Sequence, residues 1–413
     1  MESGRVVDGT GREPVEGCSV IIKGGKIEKV GRTEASFPTG AKRISVSGLT
    51  VMPGLIDSHL HLSHSDEPTQ DTVRKAISRF TAWPSSYALT AYVNGAKCIE
   101  AGFTTVRDAG FQGDSVYALK DAIASGMLKG PRIQAGGGVT ATMGHFDENW
   151  PVTLPRVNEK YIVDGPYNIR KAVRERAREG ADFIKTCTSD SWSSRRSRSW
   201  WRNYTLEELQ ALVDEAHAFD MPVSAHAYDA EPSVKNAVMA GVDNIDHGLF
   251  LNESVVKMMK ERGTTLVPTL SVIKKIYLQG SKHAYAVSNI DQRRREVWEA
   301  HVKSTKMAFE AGVKVGAGTD AGTGYGLAGN NALELEIFVK DIGMRPMDAI
   351  VAATKINSEI MKLDKETGTL ELGKQADLIV VDGDPLNDIS ILQDKAKIKM
   401  VMLGGEILVD RIK

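Results

Sequence analysis

The sequence predicts an α/β chain: a (β/α)8 TIM-type barrel carrying a small β-sandwich domain built from both chain termini. Three observations predict it. Eight strand-like runs alternate with helical stretches over residues 51–365, the pattern of a parallel barrel. Residues 1–50 and 366–413 are instead short β runs broken by paired glycines. The strand-like runs of the middle also end in polar, metal-competent side chains, at the face where such barrels keep their chemistry.

In chain order, SVIIKGGKIEKVG alternates and breaks at Gly24-Gly25, as a hairpin does. The eight runs that follow are VMPGLIDSHLHL, FTTVRDAG, PRIQAGGG, ADFIKTCTSD, MPVSAHAYD, NIDHGLF, TTLVPTLSV and VKVGAGTDAG. Between them, TLEELQALVDEAHAF reads as a helix capped by Thr205 with Glu208 three positions on. NESVVKMMKERG is a helix ending at Gly263, and QRRREVWEAHVKSTKMAFEAG is a charged helix whose arginines, with His301, read as a solvated face. At the C-terminus QADLIVVDGDP and KIKMVMLGGEILVD are two more β runs, the second broken at Gly404-Gly405. A β domain split between residues 1–50 and 366–413, enclosing a barrel over 51–365, fits these elements better than two unrelated caps.

The 413 residues suffice for a full barrel and a smaller unit. With 52 basic against 53 acidic residues and a formal net charge of −1, no global field attracts nucleic acid or an anionic membrane. The expected partner is a small molecule or another protein chain. Cys18, Cys98 and Cys187 are far apart and odd in number, which argues against a disulfide framework and for a reducing compartment. The opening MESGRVVDGTGREPVEG lacks a signal pattern, and no run of about 18 apolar residues occurs. A cytoplasmic location is therefore expected.

The stretch GLIDSHLHL carries the chemistry. Side chains alternate along a strand, so Leu55, Asp57, His59 and His61 share one face while Ile56, Ser58, Leu60 and Leu62 share the other. Two imidazoles at i and i+2 can grip one cation; alone they could equally be hydrogen-bonded core histidines. Lys185 in the fourth run, His226 in the fifth, His247 in the sixth and Asp320 in the eighth tip the balance. Each sits among apolar or small neighbours and is costly to bury without a partner. Together they make five strands that each end in a metal-competent group.

In this combination the chain resembles the amidohydrolase superfamily, in its prolidase and imidazolonepropionase-like branch. The resemblance covers nearly the whole chain and rests on PGLIDSHLHL, GFTTVRDAG, FIKTC, VSAHAYD, NIDHGLF, GAGTDAG and GKQADLIVVDGDP. It implies metal-dependent hydrolysis of a C–N bond at a carbonyl carbon, and a homo-oligomer. His59 and His61 resemble ligands of the more buried metal. Lys185 resembles the lysine that bridges two metals after reacting with carbon dioxide, His226 and His247 resemble ligands of the second metal, and Asp320 resembles the eighth-strand carboxylate.

Elementary chemistry agrees with these roles. A lysine near its reference pKa of about 10.4 is cationic, but desolvation beside two cations favours the neutral amine, which can take up carbon dioxide as an anionic carbamate. Two divalent ions, zinc by expectation, held about 3.5–4 Å apart would bridge a water and bring its pKa towards neutrality. Asp320 is then the proton carrier from the attacking hydroxide to the departing nitrogen, while a metal polarises the carbonyl. The same N/O donors accept manganese, cobalt or iron, and Asp246 stands beside His247 where relatives more often have Glu.

The substrate side is less specified. GGGVTATMGHFDENW follows the third strand, and in the resembled branch a histidine there faces the substrate carbonyl; His145 takes that role, or else caps a loop. Tyr228 shares the face of His226 and could donate to a substrate carboxylate or orient a ligand. SDSWSSRRSRSWWRNY, residues 189–204, interleaves Trp192, Trp200 and Trp201 with Arg195, Arg196 and Arg198. A lid that binds substrate through Trp192, Arg195 and Arg196 is slightly favoured over an oligomer contact, and a nucleic-acid patch ranks last. His64, His217 and His283 lack companions at ligand spacing and read as surface or supporting residues. The leading expectation is a hydrolase of a dipeptide or N-acyl amino acid. A carbamate, urea or xenobiotic aryl amide is the alternative substrate, and a binding protein without activity is a third reading, disfavoured because no ligand has been lost.

Overall fold

Paired glycines and alternating apolar residues set the architecture of both sheets. The structure, a computed structural model, describes residues 1–2, 4–32, 38–64, 81–110, 114–143, 145, 159–192, 198–278, 290–323 and 326–412. Its strands are β1 (Gly4–Val6), β2 (Val15–Lys23), β3 (Lys26–Arg32), β4 (Thr50–Pro53), β5 (Leu55–Leu60), β6 (Phe103–Asp108), β7 (Arg132–Gly138), β8 (Phe183–Cys187), β9 (Val223–Asp229), β10 (Asn244–Phe250), β11 (Thr265–Val267), β12 (Leu378–Val381), β13 (Ile398–Leu403) and β14 (Glu406–Asp410).

Strands from both chain ends form one mixed sheet of order β14-β13-β12-β4-β1-β2-β3. Its hairpins turn at Gly24-Gly25, with φ of +57° and +79°, and at Gly404-Gly405, with +55° and +82°, the left-handed pairs that tight two-residue turns require. The two turns also touch, so that a Cβ on Gly25 would lie 2.6 Å from the Gly404 carbonyl oxygen. The sheet curls: Ile27 N–H donates to the Lys374 carbonyl and Ala376 N–H to the Gly25 carbonyl, bringing the β3 edge against the segment that leads into β12. β12 is buried on both faces, and β13 is buried at four of its six residues. Leu378, Val380, Met400 and Met402 line the sheet's own core, while Ile379, Val381 and Val401 pack on the barrel, which is why these strands read as continuous apolar runs.

The second sheet is parallel, in the order β5 to β11. Residues 314–321 close it. Leu266 N–H donates to Lys314 and Gly316 N–H to Leu266 on one side; Ser58 N–H donates to Ala317 and His61 N–H to Ala321 on the other. The chain is thus a (β/α)8 barrel with a terminal mixed sheet, although the eighth run closes through isolated bridges rather than a regular strand. Its glycines explain the tight approach: a Cβ on Gly318 would fall 2.5 Å from Val267 and 2.8 Å from His59 Cβ. VMPGLIDSHLHL also divides at Gly54, its first residues pairing in the terminal sheet as β4 and its later ones opening the barrel as β5.

The helices start and stop where their sequence directs. Thr205 and Glu208 form a reciprocal capping box on Leu206–His217, and Asn252 caps Glu253–Arg262, which ends at Gly263 with φ +73°. The charged helix Ile290–Ala311 departs from expectation. Arg294 and His301 are buried, and so are Val297, Ser304, Thr305 and Ala308 along the same stripe. This stripe packs over the end of β10, where His301 Nε2 lies 3.1 Å from the His247 carbonyl oxygen and Ser304 Oγ donates to Leu249. Polar residues on the inward stripe hid the amphipathic period. No helix among the described residues is long and apolar enough to cross a membrane, and no disulfide joins the three buried cysteines.

Candidate metal centre

β5 is buried along its whole length and its alternation points Asp57 and His59 the same way, with His61 following one residue past its end. His59 Nε2 and His61 Nε2 converge on one oxygen, Asp320 Oδ1, at 3.7 and 3.3 Å. One donor atom from each of these three residues lies within 4.8 Å of the others, a spacing that can hold a metal ion. Asp320 arrives by backbone contact: Thr319 and Asp320 N–H both donate to the His59 carbonyl, and Asp320 takes φ +54°.

The remaining predicted donors gather around this trio. The His247 ring is 5.1 Å from His59 and 4.6 Å from His226, and Tyr228 lies 4.4 and 5.3 Å from His226 and His247. His145 stacks on His226 at 4.2 Å. Lys185, on β8, is buried and donates through Nζ to Asp246. His247 has φ +74° and Gly248 +60°, where the pairing of β9 and β10 slips register. The Thr269 hydroxyl meets His247 Nδ1 at 2.7 Å and so leaves Nε2 facing the site.

The electrostatics favour ligand forms. Burial holds His226 and His247 well below the usual imidazole range, assisted by repulsion from His145 and from His59 respectively. Burial also lowers His59, with Lys185 adding to the effect against Asp246. All three are neutral imidazoles at physiological pH, the form that binds metal. Burial pushes Asp320 up, but the His61 hydrogen bond and the neighbouring histidines outweigh it and hold the carboxyl below its usual range. Asp246 behaves likewise: burial is outweighed by Lys185, His59 and Arg107. His226 Nε2 is buried and has no hydrogen-bond partner among the described residues, a costly arrangement for protein alone. Neutral nitrogens beside a carboxylate, one of them with no partner, fit a divalent ion.

Supporting residues went unassigned in the sequence. Asp57 accepts from His59 and Thr319 N–H, from the Thr319 hydroxyl and from Asn331, tying β5 to the segment bearing Asp320. Glu334 accepts from Leu270 and Ser271 N–H at the start of the helix that follows Thr269. Asp57 was signalled by sharing the His59 face; Thr269 and Glu334 carry no sequence signal. His64 stacks on His61 at 4.8 Å, while His217 is exposed beside Asp243. Trp192 is buried in an apolar cluster with Tyr228, Leu249, Val272, Ile273 and Val297, whereas Trp200 and Trp201 are half exposed. Arg195, Arg196 and His283 lie outside the described residues.

Known proteins agree with this architecture. The chain is 30% identical over 434 aligned positions to ochratoxinase of Aspergillus niger, covering 98% of this chain and 85% of that one. It is similar to the structure of an Xaa-Pro dipeptidase with bound methionine in its active site, with a TM-score of 0.90 and 31% identity over 99% of this chain and 98% of the other. A prolidase complexed with N-methylphosphonate-L-proline gives a TM-score of 0.86 at 30% identity, over 99% and 98% of the two chains. Residues 50–408 match the amidohydrolase family, and the chain therefore belongs to that family of hydrolytic enzymes.

Proposed function

We propose that this enzyme hydrolyses the amide C–N bond of a small carboxylate-bearing substrate, a dipeptide or an N-acyl amino acid. The observation that carries the reading is the convergence of His59 Nε2 and His61 Nε2 on Asp320 Oδ1, with His226, His247 and Lys185 around the same space. These six residues would hold two divalent ions, zinc by expectation, with Lys185 acting as its carbon dioxide-derived carbamate. When bound, the ions supply an activated water at neutral pH and a Lewis acid for the carbonyl.

The chain's own groups do the rest. Asp320 Oδ1 takes a proton from the attacking water and gives it to the departing nitrogen, which must be protonated to leave. His145, stacked on His226, donates to the substrate carbonyl oxygen. Tyr228 presents its hydroxyl to the substrate carboxylate, with Arg195 and Arg196 as the cationic partners. Trp192 backs Tyr228 from within the apolar cluster and supplies a flat wall. Similarity to a prolidase and an Xaa-Pro dipeptidase supports this substrate class. We also place the enzyme in the cytoplasm as a homo-oligomer acting on a small molecule, without nucleic-acid or membrane partners.

A second reading, hydrolysis of an aryl amide, carbamate or urea, draws on the half-exposed Trp200 and Trp201. The zinc-reconstituted protein, screened against Xaa-Pro and other dipeptides, N-acyl amino acids, and aryl amides, carbamates and ureas lacking a carboxylate, separates the two. Selective cleavage of carboxylate-bearing substrates is the expected result. Preference for carboxylate-free aryl substrates overturns it, and no turnover of any class overturns the enzymatic reading.

A further inference from the structure

Beneath the histidines lies a buried guanidinium that the mechanism does not use. Arg107, on β6, contacts β5, β8 and β10, and so spans the barrel interior. Its Nε donates to the Ser58 carbonyl at 2.5 Å, its Nη1 donates to Asn244 Oδ1 at 3.0 Å, and its Nη2 lies 3.7 Å from Asp246 Oδ1. The Cζ atom sits 4.8 Å over the Phe183 ring. A cation here is expensive unless it holds something in place.

What it holds is one half of Asp246. Oδ1 faces downwards: Asn244 Nδ2 donates to it at 2.8 Å, and Arg107 stands behind both. Oδ2 faces upwards: Ser224 Oγ and Lys185 Nζ donate to it, and it lies 3.1 Å from His59 Nδ1. A carboxylate behind a metal-binding imidazole fixes the ring and raises its basicity. The lysine cannot secure that carboxylate alone, because under the proposed function Lys185 is drawn into the metal centre and ceases to be an ammonium donor. A hold on Oδ1 survives that change.

We propose that Arg107 is a positioning residue of the metal centre. With Asn244 it clamps Asp246 Oδ1, so that Oδ2 stays against His59 Nδ1 and His59 Nε2 stays aimed at Asp320, whatever the chemical state of Lys185. The inference rests on the metal-binding reading above. Charge and fork geometry both matter, so lysine replaces only part of the role: it keeps the cation but cannot reach Ser58, Asn244 and Asp246 together.

Metal-free wild type, Arg107→Met, Arg107→Lys and Asn244→Ala proteins would be titrated with Zn2+ against a chromophoric chelator, and the Tm of each metal-free protein recorded. Arg107→Met should weaken Zn2+ binding about 10-fold or more, as loss of such supporting contacts does. Arg107→Lys should fall between it and wild type, and excess Zn2+ should restore activity. Asn244→Ala leaves the guanidinium on Phe183 and should also weaken binding, which keeps the test alive if Arg107→Met does not fold. Wild-type Zn2+ affinity in a folded Arg107→Met, or in Asn244→Ala if the former fails, overturns the proposal; so does a lowered Tm with unchanged affinity, the signature of a purely structural cation. Wild type that binds no Zn2+ would instead remove the metal reading itself.

Discussion

Replacing Asp57 by asparagine should weaken both fold and metal binding, because four donors depend on two carboxylate oxygens. Oδ1 accepts His59 N–H at 3.1 Å and Thr319 N–H at 3.2 Å; Oδ2 accepts Thr319 Oγ1 and Asn331 Nδ2, both at 2.6 Å. Burial raises this carboxyl to about 6 against those bonds, so at pH 7.5 it is chiefly the anion that receives them. An asparagine keeps one oxygen. Its best placement leaves that oxygen under the two backbone N–H groups and turns its own NH2 towards Thr319 and Asn331. The threonine hydroxyl can rotate to accept. Asn331 cannot turn its oxygen without releasing Gly329 N–H, which it binds at 2.8 Å.

One donor pair is therefore left facing itself. One lost charge-assisted bond and one unpaired buried amide amount to about 2–4 kcal/mol. An unfolding entropy of about 2.1 cal/mol/K per residue over 413 residues makes each kcal/mol worth roughly 1.2 °C, so the expected fall in Tm is roughly 2–5 °C. The same change loosens His59 and the Thr319-Asp320 step together, and should reduce Zn2+ affinity about 10-fold. Calorimetry on metal-free protein and a chelator-competition titration read the two effects separately. An Asp57→Asn protein with wild-type Tm and wild-type Zn2+ affinity would refute the claim that this carboxylate joins the two sides of the site.

Three further outcomes follow from the same geometry. Asp320→Asn should lower kcat by about 10²–10⁴-fold, the scale of acid–base catalysis, yet fold normally because asparagine tolerates the φ of +54° at this position; a kcat within about 10-fold of wild type would remove Asp320 from proton transfer. Lys185→Ala should lose one metal equivalent and most activity, with partial recovery in a short-chain carboxylate, and full metal content by elemental analysis would contradict the bridge. Burial raises Glu334 to about 8, so between pH 4.5 and 8 the folded state keeps a proton that the unfolded state loses, and stability falls as pH rises by at most about 1.4 kcal/mol per unit. Glu334→Gln cannot titrate; the wild-type Tm advantage over it should shrink from pH 5 to pH 8, and parallel Tm profiles would contradict the assignment.

What the sequence revealed, and what it hid, follows the range of the interactions. Hairpins turn where Gly24-Gly25 and Gly404-Gly405 stand because the signal is two residues long. Period two in GLIDSHLHL placed His59 and His61 together without any tertiary information. His301 reads as solvated from the sequence because Arg294, His301, Ser304 and Thr305 occupy an inward stripe that hydrophobicity alone scores as outward. Arg107 could have been suspected, since an arginine in an apolar strand needs a buried partner, but nothing local says that its partners are Asn244 and Asp246, 137 and 139 positions away. The eighth run was legible as a barrel element but not as an irregular one, because Gly316 and Gly318 matter through what they approach.

Contacts of long range also aim the candidate donors. His247, Thr269 and Asp320 are non-glycine residues in the left-handed region, at φ of +74°, +54° and +54°, and each such conformation costs of order 1–3 kcal/mol. His247 sits where the β9–β10 register slips, Thr269 just past β11 and Asp320 in the closing run, so the cost is concentrated where the donors meet. Each has a buried tether: Thr269 meets His247 Nδ1, His301 meets the His247 carbonyl, and Ser271 donates to the Thr319 carbonyl while Glu334 holds its N–H. The direction of His247 and Asp320 is thus set by backbone twist locked from below rather than by rotamer choice.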